Sequence, residues 1–107
     1  MPLAPLILAA VSLASSAAVA ADVSTSRAQA LLQKHDCYIC HADRDARTGP
    51  AFIDIADRYR GKPNAAARLA AVVRKGAHGS APWPMPPLPQ VPAADARKMV
   101  AFILGLK

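Results

Sequence analysis

Cys37-Tyr38-Ile39-Cys40-His41 holds both cysteines of the chain in one pentapeptide. C-x-x-C-H is the attachment pattern of c-type haem. Two thiols at this spacing lie on one short helical turn and reach the two vinyl groups of a porphyrin as thioethers. The adjacent His41 then falls beneath the iron and can bind it through a ring nitrogen. Three other chemistries use similar residues. Cys37 and Cys40 could form a disulfide. A thioredoxin-like dithiol normally opens a helix after a strand, whereas here a helical pattern precedes the cysteines. A zinc site needs four ligands, and only three cluster here.

Outward from the pentapeptide the chain reads as helices. Ser26 to about Asp36 places Ala28, Leu31 and Leu32 on one face. A second helix is expected from Pro50, a good first-turn residue, to about Arg60, with Phe52, Ile55, Ala56 and Tyr59 on its apolar side. A third follows Asn64 and ends at Gly76, burying Leu69, Val72 and Val73. The last runs from near Pro92 to Gly105 and lines Met99, Phe102, Ile103 and Leu106 on one side. No segment alternates with period two, so the reading is all-α.

Six of the ten prolines fall between Pro82 and Pro92. That run excludes helix and central strand. Set between two amphipathic helices, it reads as a stiff structured loop. A sixth iron ligand would come from Met85, Met99, His35 or His78. Met99 fits the apolar face of the last helix, His35 lies only two residues before Cys37, and His78 sits in a glycine-flanked turn. Met85 lies between Pro84 and Pro86-Pro87, 48 residues after Cys37. Prolines cut the entropy lost on ordering such a loop.

The chain has 107 residues, enough for one small domain. Residues 1–20 contain no charged side chain and end in Ala18-Val19-Ala20. They read as a cleaved secretory signal, leaving residues 21–107 as one domain. The run is too short and too rich in Ala and Ser to span a bilayer well. The remaining 87 residues carry the whole net charge of +6. So small a core gains from a bound cofactor.

C-Y-I-C-H (37–41), Gly49-Pro50, Gly76 and W-P-M-P-P (83–87) together resemble the small bacterial class I cytochromes c of the cytochrome c-551 type. The resemblance covers nearly all of residues 21–107. It implies four to five short helices wrapped around one covalently bound haem c, with the first and last helices crossing near the attachment site. It implies that Cys37 and Cys40 carry the thioethers and that His41 and Met85 are the axial metal ligands. Pro50 would offer its carbonyl to the other ring nitrogen of His41. The chain departs from the family in having Leu32 for Phe, Asp36 for Gly and Phe102 for Trp. Ser80 stands where the family has a Trp near a haem propionate. Trp83 either takes over that contact or serves packing alone.

His/Met ligation leaves no open iron position, and no catalytic constellation or phosphate loop is visible. The expected function is therefore not enzymatic. It is one-electron transfer in the periplasm between respiratory donors and acceptors. The alternative is a haem subunit of a periplasmic dehydrogenase complex. Arg58, Arg60, Lys62, Arg68, Arg74 and Lys75 crowd the middle helices. This predicts acidic-surfaced redox partners, with steering that weakens at high salt. Nucleic acid is not expected for an exported chain, nor is stable membrane insertion. The same signals leave monomer and subunit of an enzyme complex both open.

Overall fold

The computed structural model describes residues 2–9, 14–78 and 84–107. Four α-helices follow in chain order: α1 (Ala14–Lys34), α2 (Phe52–Tyr59), α3 (Ala65–Lys75) and α4 (Ala93–Leu104). A single 3-10 turn, Cys37–Ile39, sits between α1 and α2. Among the described residues the only β pairing is one antiparallel bridge, Ala77 with Met85.

α1 begins twelve residues before the Ser26 start that the sequence suggests. The run from Ala14 is rich in Ala and holds no Gly or Pro, so propensity carries the helix through Ser24, Thr25 and Ser26. Residues 17–27 are all exposed, and Ala28 is the first buried residue after them. α1 ends at Lys34 rather than at Asp36. Asp36 adopts a left-handed conformation, φ 61°, and opens the 3-10 turn. Asp tolerates that region better than most residues.

α2 starts at Phe52, so Pro50 is not its first-turn residue. The free N–H groups of Phe52 and Ile53 donate to the carbonyls of Ala42 and Asp43, both at 2.9 Å. These bonds satisfy two of the donors that a helix N-terminus leaves open. They also close the loop 42–51 and release the Pro50 carbonyl for another partner. α3 has the expected bounds. Asn64 precedes it at φ 57° without a side-chain cap, and Gly76 ends it at φ 78°. Arg74 and Lys75 sit in its last turn, where cations favour the helix dipole.

α4 packs against each of the other three helices. The core they share is Leu32, Phe52, Val91, Ala96, Met99 and Ile103. Val91, fully buried, comes from the proline-rich stretch. Its N–H donates to Leu88, whose own N–H donates to Val73 on α3. The described part of that stretch is therefore tied to the core, as a structured loop should be. His35 at the end of α1 bonds Asp95 on α4 at 3.1 Å, pinning the two helices beside the pentapeptide. Arg44 and Arg60 donate to the carbonyls of Lys107 and Leu106, holding the chain end in place.

Leu32 is 1% exposed between α1 and α4. Leu32→Ala should cost about 2–5 kcal/mol, as buried Leu truncations do. Denaturant unfolding of the folded chain will measure it as a lower midpoint at constant slope.

Candidate functional site

The pentapeptide leads from the 3-10 turn into the loop 42–51, and that geometry places His41. His41 is the one buried polar side chain among the described residues. Its Nδ1 lies 2.7 Å from the carbonyl oxygen of Pro50. A carbonyl can only accept, so Nδ1 carries a proton, and in the neutral form of the ring the lone pair is on Nε2. The ring stacks on Phe52 at 4.9 Å between centroids and 19° between planes. Gly49 closes the other side: a Cβ there would lie 2.6 Å from His41 Cε1. Its N–H also donates to Cys40 at 2.6 Å. Only glycine leaves room for the ring, which gives Gly49-Pro50 two separate physical reasons.

Cys37 and Cys40 are free and half-buried. Burial, and then the nearby charge of Asp36, push the Cys37 thiol above its ordinary range. A redox dithiol needs the opposite shift, toward thiolate. Tyr38, between them, donates its hydroxyl to Asp43 at 3.0 Å. Burial and that bond push its pKa up to about 12. Among the described residues no three His, Cys, Asp or Glu side chains converge as a metal cage would require.

Two adjoining cavities, of 310 and 630 Å3, form one cleft. His41, Cys40 and Met85 line both, together with Ile55, Leu69 and Val72. Cys37 lines the smaller one. Met85 is held by a reciprocal pair of backbone bonds with Ala77, at 3.0 and 3.1 Å. Gly76 underlies this contact: at φ 78°, its added Cβ would lie 2.7 Å from the Met85 carbonyl oxygen. Met99 is 1% exposed within the core and also borders the smaller cavity. His35 borders it too, with its Nε2 committed to Asp95. His78 is exposed and lines neither cavity. Trp83 lies outside the described residues.

The cytochrome c family model matches residues 25–107. The chain belongs to the cytochrome c family. Over 79 residues it is 47% identical to cytochrome c-551 of Allochromatium vinosum, covering 71% of this chain and 82% of that one. It is 40% identical over 80 residues to cytochrome c-552 of Nitrosomonas europaea, covering 72% and 76%. The crystal structure of wild-type Nitrosomonas europaea cytochrome c552 superposes with a TM-score of 0.71 at 39% identity, covering 74% of this chain and all but 1% of that one. The fold is the all-α cytochrome c fold, and a cytochrome c of this family carries one covalently bound haem c.

The residues present fit that group. The cleft has mostly apolar walls, both thiols of the pentapeptide border it, and a histidine with a free lone pair is fixed in its wall. Sequence reasoning named Cys37, Cys40, His41, Pro50 and Met85, and the fold brings all five to this cleft or its wall. It missed Arg47, Thr48, Arg58 and Tyr59, which also border the larger cavity. Arg58 was read only as part of the basic cluster and Tyr59 only as part of the apolar side of its helix, while Arg47 and Thr48 carried no signal.

Gly76→Ala should lower stability by about 1–3 kcal/mol from the backbone alone, because φ 78° with ψ 175° is a region essentially closed to side chains, with the clash against Met85 added. Thermal unfolding of the holo-cytochrome will register the loss. Gly61→Ala is the comparison: φ there is 79°, and nothing lies within 4 Å of the added Cβ.

Proposed function

We propose that this cytochrome is a diffusible periplasmic one-electron carrier, exported by a signal at residues 1–20 that is then removed. In this reading Cys37 and Cys40 hold the haem as thioethers, and His41 and Met85 are its axial ligands. The observation that carries the proposal is the shared cleft: both thiols, the His41 ring and Met85 border one cavity. Bound there, haem supplies a one-electron Fe(II)/Fe(III) couple, and thioether ligation raises its potential.

The protein's part is to hold still. Pro50 fixes the tautomer and plane of His41, a contact of the kind that tunes ligand basicity. The Ala77–Met85 bridge fixes the loop that carries the thioether. With both His41 and Met85 as ligands, the iron would keep no open position for a substrate. Rigid ligands in both oxidation states keep reorganisation small, which suits electron transfer rather than catalysis.

Exposed surface favours a free carrier over a permanent subunit. Among the described residues outside the N-terminal segment, the one strongly exposed large apolar side chain is Ile39, at 71%. It borders the cleft. A small apolar spot suits brief docking, whereas stable subunits bury much larger apolar areas. Arg58, Lys62, Arg68, Arg74 and Lys75 are all exposed and favour acidic partners. No helix among the described residues is long and apolar enough to cross a membrane.

Met85→Ala tests the ligation. It should open the sixth position, let the ferrous protein bind carbon monoxide, and lower the reduction constant more than tenfold, about 59 mV per tenfold for one electron. A variant with the parent's spectrum and potential would remove Met85 from the iron.

A further inference from the structure

Charge is unevenly placed around the cleft. The smaller cavity, which both cysteines border, has no Lys or Arg in its wall and includes Asp36. The larger cavity is bordered by Arg47, Thr48, Arg58 and Tyr59 and by no carboxylate. Haem c carries its two carboxylates on the edge of the porphyrin away from the thioether positions. Cys40 borders both cavities but Cys37 only the smaller, so a haem held by both thiols would direct its carboxylate edge toward the larger one.

Most cations near that end are already engaged. Arg47 donates to the carbonyl of Tyr38 at 3.2 Å. Arg60 bonds Asp57 and Leu106. Lys62 and Arg68 lie over the ring of Tyr59, 5.2 and 5.7 Å from its centroid, and border neither cavity. Arg58 borders the larger cavity and makes no hydrogen bond or ion pair among the described residues. The hydroxyl of Tyr59 is likewise without a hydrogen bond among them.

We propose that Arg58, with Tyr59 bordering the same cavity, is the positioning group for a haem carboxylate in this cytochrome. The proposal rests on the haem reading above. A guanidinium fits a carboxylate with two parallel N–H donors, which fixes direction as well as charge. The position of the group in sequence also matters. Arg58 is on the last turn of α2, whereas Ser80 stands where the resemblance implies a Trp near a propionate. The contact would thus be supplied from a different element of the fold.

The test compares Arg58→Gln, Arg58→Lys and Lys62→Gln in the holo-cytochrome. Lys62 is a nearby exposed cation off the cavity wall, so it measures the bare effect of losing one charge. Arg58→Gln should lower the reduction constant at least threefold more than Lys62→Gln does, about 28 mV at 59 mV per tenfold. An uncompensated carboxylate stabilises the ferric state. Arg58→Lys should restore most of the potential but not the carboxylate stretch in the redox-difference infrared spectrum. That band reports the paired guanidinium and should shift in both Arg58 variants and stay in place in Lys62→Gln.

If Arg58→Gln matches Lys62→Gln in potential and in infrared bands, the proposal is overturned. The same bands moving in Trp83→Phe instead would place the carboxylate on Trp83. A parent protein that carries no covalent haem would overturn the functional reading itself, a failure that the absorption spectrum separates from failure at Arg58.

Discussion

A single hydrogen bond organises the site. The carbonyl of Pro50 can accept but not donate, so its 2.7 Å contact with His41 fixes the proton on Nδ1 and aims the lone pair of Nε2. Much of the nearby structure serves this contact. Gly49 must lack a side chain because the ring fills the space a Cβ would need. The loop 42–51 closes through the Phe52 and Ile53 N–H groups. α2 therefore begins two residues after Pro50, and its first residue, Phe52, forms the floor on which His41 stacks. One bond thus couples the start of a helix, a glycine and a stacked ring.

The Met85 side of the cleft follows similar logic with weaker forces. Met85 has no helix of its own. It is placed by backbone bonds to Ala77, by the positive-φ Gly76 beneath it, and by prolines on both sides. Leu88 and Val91 then tie the following residues to α3 and the core. A thioether sulfur is a weak donor, so a chain that offers one to iron must hold it by restricting the backbone rather than by relying on bond strength. The cleft between these walls belongs to a cytochrome c fold, and the haem is part of that fold's core as much as its cofactor.

Legibility in the sequence tracked how local each cause was. The pentapeptide, the bounds of α3 and α4 and the apolar faces of α2, α3 and α4 depend on neighbouring residues, and all could be read. The start of α1 could not, because the Ala-rich run before Ala28 makes no packing contact that the apolar period could report. Pro50 looked like a helix start because proline favours that place; a tertiary bond to His41 claimed its carbonyl instead. Val91 was hidden by the proline composition around it. Asp36, read as the end of the first helix and as a departure from the Gly that the resemblance implies, supplies the left-handed residue that turns the chain into the cysteines. The basic wall at Arg47, Arg58 and Tyr59 emerges only when the loop 42–51 and the end of α2 are brought together in space.

Absorption spectra of the exported holo-cytochrome, ferric and ferrous, test the account most directly. Low-spin spectra in both states, with a sulfur-to-iron charge-transfer band in the near red of the ferric form, are the predicted result. They would mean that a thioether holds the position across from His41. A high-spin ferric spectrum without that band, together with prompt carbon monoxide binding by the ferrous form, would contradict it. It would leave an open iron position where the account requires a closed one.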